Sequence, residues 1–221
     1  MKTKKLLDGL MFILLLFLMA FPFTGQMVHE WIGILTLLCF MFHHWKQRRW
    51  YQTLRKASTI KKIFMTMNAL MMMDLLLLFL SGFTMSQLLP FLDFMPIQLA
   101  RKIHMTSAYW GFLLIAIHTG LHIQGVVVLM KKKMKQMPGI MRMMITGIPF
   151  LLCFYGIIAW IRSGWISYLL LLEDFVYVDE AISITQIMID NFCIFLFYCI
   201  VTHTLWISYV QTRKREENSR C

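Results

Sequence analysis

A chain of 221 residues that is 59% hydrophobic, with a mean hydropathy of +0.65, is too apolar for an ordinary soluble domain. A formal net charge of +11 would suit a nucleic-acid binder, but the 22 Lys and Arg stand in short clusters between apolar runs, the pattern that orients membrane spans. The five cysteines (Cys39, Cys153, Cys193, Cys199, Cys221) form no C-x-x-C, which excludes a c-type haem attachment motif and offers no disulfide framework. Four of them lie inside apolar runs and read as small packing residues, as most of the 20 methionines do.

Lys2, Lys4 and Lys5 open the chain ahead of an apolar run over 6–23. Its shape is that of a signal peptide, but Leu18, Met19 and Ala20 make a poor small-x-small cleavage site, so the run reads as a retained first helix. Pro22 and Gly25 turn the chain into a second helix over 29–45. Seven basic residues and no acid lie from Lys46 to Lys62, ahead of a third helix over 63–84. A loop with Pro90, Asp93 and Pro96 follows, and Arg101 and Lys102 lead into a fourth helix over 103–130. That helix is longer than a bilayer needs, so it is expected to tilt or to run past the lipid.

The cluster KKKMK at 131–135 and Arg142 precede a fifth helix over 143–161, where Pro149 is tolerable if neighbours satisfy the freed carbonyl. Residues 165–172 are aromatic-rich and too short to span, and read as an interfacial segment followed by the acidic stretch EDFVYVDE. A sixth helix over 182–209 ends in the tail RKREENSRC. On this topology nineteen Lys and Arg fall on one side and only Arg101, Lys102 and Arg162 on the other. The expected fold is therefore all-α: one domain over 1–221, a polytopic membrane helix bundle of about six transmembrane helices with both termini cytoplasmic.

Six of the seven histidines fall on two of these helices with the same internal spacing. His29 and His43 are fourteen residues apart in HEWIGILTLLCFMFHH; so are His104 and His118 in HMTSAYWGFLLIAIHTGLH. Fourteen residues advance a helix by about 21 Å and nearly four turns, so each pair lies on one side, near the two edges of a core about 30 Å thick. Two such helices side by side offer two levels of paired imidazoles, an axial ligation mode for haem b. The charge asymmetry puts His29 and His104 at the outer level and His43 and His118 at the inner one. His44 and His122 are the alternates: His43 lies about 40° and His44 about 60° from the His29 direction, while His122 is aligned with His104 but one turn deeper than His118.

His203 has no partner at this spacing and reads as interfacial or structural. Asp74 and Asp190 sit deep in apolar runs, either as hydrogen-bonded packing residues or as partners that orient an imidazole or hold a proton. Gly33, Gly111 and Gly120 could admit a flat macrocycle or simply close helix packing. Arg48, Arg49, Arg101 and Lys102 could pair with propionates or serve only as loop charges. Trp31, Tyr109 and Trp110 are candidates for the aromatic belt.

The motifs HEWIG, HHW, RRWY, SGFTMS, ARKIHMTSAYWGFLLIAIHTGLH, GIPFLLCFYGIIAWI and YLLLLEDFVYVD resemble the flavinylation-associated cytochrome family, long labelled domain of unknown function 4405. The likeness covers about 6–209 and is weakest in the last helix. It implies a bacterial b-type cytochrome of the cytoplasmic membrane that passes electrons across it, beside extracytoplasmic proteins carrying covalently attached FMN. The chain has no S-G-A-[ST] acceptor motif for FMN, so the resemblance implies a separate flavoprotein or other external acceptor as partner.

No G-x-G-x-x-G fingerprint marks a nicotinamide site, which leaves a membrane quinol as the expected donor. The reading is thus an electron-transfer component with two b haems, rather than a stand-alone enzyme. Two others stay open: a metal or proton transporter using intramembrane His and Asp, and a haem-free membrane anchor subunit.

Overall fold

Runs of Leu, Met, Phe and Ile this long can satisfy their backbone polar groups in lipid only by coiling, because a helix closes every hydrogen bond within itself. The computed structural model of the chain describes residues 2–51, 58–173 and 182–219, and among them every regular element is a helix. These are α1 (Lys2–Leu18), α2 (Phe21–Tyr51), α3 (Thr59–Thr84), α4 (Ile97–His122), α5 (Gln124–Met134), α6 (Gly139–Arg162), α7 (Trp165–Leu169) and α8 (Ile184–Ser219). Arg55 and Lys56 of the expected basic loop, and 174–180 of the acidic stretch, lie outside the described residues.

Four helices, over Phe21–Arg48, Thr59–Thr84, Gly139–Arg162 and Ile184–Ser219, are long and apolar enough to cross a bilayer, and the bent pair α4–α5 makes a fifth if it counts as one span. The remaining expected span is α1, whose 17 residues give about 26 Å of helix, near the lower limit for a hydrocarbon core. On α6, Phe150 is 74%, Leu151 71% and Phe154 66% exposed, a patch that lipid covers and water would not. The protein is an all-α polytopic membrane bundle.

The helices start and stop where local chemistry, rather than hydropathy, dictates. Ser58 caps α3, its Oγ accepting from Lys61 N at 3.4 Å, so the helix opens at Thr59 and not at 63. α2 begins at Phe21 and already contains Pro22; the break falls at Gly25 (φ 72°, ψ 168°), a left-handed conformation that glycine accepts without strain. The continuous fourth helix expected over 103–130 is corrected. α4 starts at Ile97, ends at His122, and bends by 53° into α5, with Gly120 and Gly125 flanking the break. α8 has 36 residues, about 54 Å, and so runs well past any bilayer core; Arg213 and Glu217, 3.7 Å apart one turn on, support the extension.

The chain packs as two compact units, Met1–Gly111 with Trp165–Asn191, and Phe112–Gly164 with Phe192–Cys221. In the first, α1 packs on α2, and Tyr109 is buried under α7. Its ring lies 4.6 Å from Tyr168, stacked at 12°, and 4.9 Å from Trp165, edge-on. One expectation is corrected here, since Tyr109 packs inside the protein and not in an aromatic belt; Trp165 and Tyr168, 2% and 6% exposed, anchor the 165–169 segment, while Ile166 and 170–172 stay exposed. Trp110 Nε1 donates to Leu169 O at 3.0 Å and holds the segment down.

The second unit is built on close helix approach. Phe112 meets Phe195 edge-on at 5.5 Å, Cys199 Sγ donates to Ala116 O at 3.1 Å, and Gly120 lies against the Cys199 backbone. A Cβ at Gly156 would collide with the Cys193 carbonyl of α8, whereas Gly147 on the same helix has nothing within 4 Å. Gly156→Leu is therefore expected to cost about 1–3 kcal/mol or more through overpacking. Thermal denaturation in detergent should show a lowered midpoint for Gly156→Leu and little change for Gly147→Leu.

Candidate functional site

The first unit brings two of the expected ligands together, edge to ring. His29 of α2 and His104 of α4 have ring centroids 6.0 Å apart at an interplanar angle of 71°. Two imidazole nitrogens each roughly 2 Å from a shared metal ion require a centroid separation of about 6 Å. The sequence spacing pairs these two residues, and their rings are neighbours in the structure.

His104 is held from behind. Its Nδ1 lies 3.1 Å from Leu78 O and 3.4 Å from Ser81 Oγ on α3. A carbonyl oxygen only accepts, so Nδ1 carries the proton and Nε2 keeps its lone pair. This is the support a ligating imidazole needs, one nitrogen fixed on a backbone carbonyl and the other left to bind. Ser81 Oγ itself is 2.7 Å from Leu77 O and 3.0 Å from Leu78 O, so the hydroxyl is tied to its own helix. Gly82 completes the cradle: a Cβ there would come within 3.2 Å of His104 Cε1 and 3.3 Å of Nδ1.

His29 is approached differently. Its Nδ1 is buried without a close hydrogen-bond partner, while the imidazole also faces the Leu18 backbone. Phe21 packs edge-on against it at 5.0 Å. Eight residues of unbroken helix would set these two about 12 Å apart along the axis, and the break at Gly25 returns Phe21 to the imidazole.

At the other end of α2, His43 Nδ1 lies 3.0 Å from Asp8 Oδ1 of α1, again one nitrogen engaged. His44 sits 5.6 Å from His43 and packs on Phe40 at 4.3 Å. His118 and His122 lie in the second unit with rings 4.6 Å apart; His118 is half-buried and His122 exposed, which favours His118 of the two. The expected inner couple thus draws His43 from the first unit and His118 from the second. His203 has a buried Nδ1 with no hydrogen-bond partner on α8.

Asp74 bonds to the Ser107 hydroxyl and presses on Gly111, where a Cβ would stand 2.6 Å from Oδ2. That Oδ2 is buried without a hydrogen bond. Asp74 thus meets α4 one to two turns beyond His104 rather than at the imidazole itself. Asp190 is buried, at 5% exposure. Gly33 is open to its surroundings, while Gly111 and Gly120 serve close packing. Arg48 donates to Trp45 O at 3.3 Å and lies over its ring at 4.9 Å; Arg101 and Lys102 are exposed, and so is Trp31. The Arg49 side chain lies outside the described residues. Comparison with protein-family models, with curated proteins and with solved structures finds no match.

Sequence reasoning passed over Asp8, Glu30 and the Leu78–Gly82 cradle. Asp8 and Glu30 carried a signal, since an acid inside an apolar run defaults to a functional role. Leu78 carried none, because its contribution is a main-chain oxygen. Among the described residues no three His, Cys, Asp or Glu side chains converge on one point.

Proposed function

We propose that this chain is a membrane di-haem b cytochrome that carries electrons across a bacterial cytoplasmic membrane, from quinol to an extracytoplasmic acceptor such as a flavoprotein. The observation that carries the reading is the His29–His104 couple, with His104 Nδ1 spent on Leu78 O. His29 and His104 would hold the outer haem, and, on the sequence spacing alone, His43 and His118 the inner one. Haem, when bound, supplies a reversible one-electron iron couple whose potential follows its ligands and its burial.

The chain's own part is to orient and to bury. Leu78 and Ser81 fix the tautomer and tilt of His104. Asp8 does the same for His43 from a neighbouring helix. Stacking two ligand levels along α2 and α4 shortens each electron step to less than the bilayer thickness. Membership of the flavinylation-associated cytochrome family rests on the motifs quoted above and belongs to this proposal.

A transporter reading would need helices broken at mid-depth and carboxylates in pairs. Among the described residues the breaks lie near helix ends, at Gly25 and past His122, and the hydrogen-bond partner of Asp74 is a serine. Both features favour the cytochrome.

The test is a dithionite-reduced minus oxidised spectrum of the purified protein with a haem assay. Two b haems per chain are expected in the wild type and about one in His43→Ala. A colourless protein from iron-replete cells, or equal haem in both, refutes the reading.

A further inference from the structure

Next to His29 stands Glu30, whose carboxylate is spent entirely on one short segment and its own helix. Oε1 accepts from Gln87 N at 3.0 Å and from Gln26 Nε2 at 3.0 Å; Oε2 accepts from Leu88 N at 3.0 Å and from Ser86 Oγ at 2.7 Å. An ionised carboxylate has about four lone-pair sites, so this one is filled. Gln26 adds a bond to Met85 O at 3.3 Å and accepts from Gln87 Nε2 at 3.3 Å.

The segment it grips, 85–88, is the continuation of α3, and α3 also carries Leu78, Ser81 and Gly82, which cradle His104. One helix end therefore holds both imidazoles. It grips the His104 ring directly, and it grips the helix of His29 through the adjoining residue.

We infer that Glu30 is a positioning residue: by latching α2 to the end of α3 it sets the separation and the angle of His29 and His104. The inference rests on the haem reading given above. Charge-assisted bonds to a carboxylate are the strong kind, and four on one group leave α2 little freedom to turn or slide. A glutamine cannot replace it, since its amide nitrogen would face the N–H or hydroxyl donors now bound by an oxygen. Ala removes all four bonds.

Two readouts are needed, one of them independent of haem. Hydrogen–deuterium exchange over 85–92 reports the latch itself; Glu30→Ala is expected to speed exchange at Gln87 and Leu88 by about tenfold or more. EPR and redox titration report the imidazole couple. Near-perpendicular axial imidazoles give a highly anisotropic low-spin ferric signal, and the 71° angle places the outer level in that class. In Glu30→Ala that one signal should broaden or shift, with a changed midpoint potential, while the other haem stays as in the wild type. Glu30→Gln should give a change of the same kind and should not rescue.

Faster exchange with both haem signals unaltered makes the latch merely structural and overturns the inference. Unchanged exchange overturns it as well. A wild type that holds no haem refutes the function first and removes the inference with it. A haem-replete wild type with an insensitive Glu30→Ala refutes the inference alone.

Discussion

On the di-haem function proposed above, His104→Ala is expected to lose one haem, with the other retained at its wild-type potential. The ring sits 6.0 Å from its partner with Nδ1 spent on Leu78 O, which leaves Nε2 as the atom that can bind. The double variant His29→Ala/His104→Ala should hold as much haem as either single one. Residues that act as a couple fail together, and the second substitution has nothing left to remove. His203→Ala should keep both haems, because it belongs to neither helix of the matched spacing. Haem per chain by pyridine haemochrome and a redox titration check all four. Additive losses, with the double variant empty and each single half-depleted at both levels, would mean that the histidines do not pair as described.

The couple is legible in the sequence because helix geometry converts spacing into depth. Fourteen residues separate His29 from His43, and His104 from His118, by the same rise of about 21 Å along each helix. What the spacing cannot convey is how a ring is held. Leu78 offers a main-chain carbonyl from 26 residues away, and no property of a leucine side chain announces that. Gly82 is visible there only as a glycine near a helix end. Its meaning, space for an imidazole edge, exists only once α3 and α4 are packed.

Helix ends differ from expectation for a related reason. Hydropathy marks the part of a helix that lies in lipid, whereas Lys, Arg, Gln and Glu are good helix formers and carry α3 and α8 beyond it. The bend after His122 joins two segments that are both apolar, and a window average passes over it. Glu30 stands beside His29 in the sequence, but its four donors arrive from a segment 56 to 58 residues further on and from Gln26.

Gly82→Val should weaken haem retention at the outer level far more than Ser81→Ala. Already for an alanine the added Cβ would lie 3.2 Å from His104 Cε1, closer than ordinary contact, and valine adds two methyl groups on that side. The imidazole must tilt away or α3 must withdraw, and either change disturbs the ligand geometry. Loss of support behind a ligating histidine costs about 10–100-fold in affinity, so the outer haem should be lost during purification. Ser81→Ala leaves the 3.1 Å bond from Nδ1 to Leu78 O in place and removes only the 3.4 Å contact.

Alanine also forms helix more readily than serine, which offsets part of what the hydroxyl contributes. Ser81→Ala should therefore keep both haems with a modest shift of one potential. Far-UV circular dichroism should be unchanged in both variants, which separates a disturbed cradle from a disturbed fold. If Gly82→Val holds two haems at wild-type potentials, the face of α3 behind His104 is not what sets the ligand, and the tautomer argument built on Leu78 fails with it.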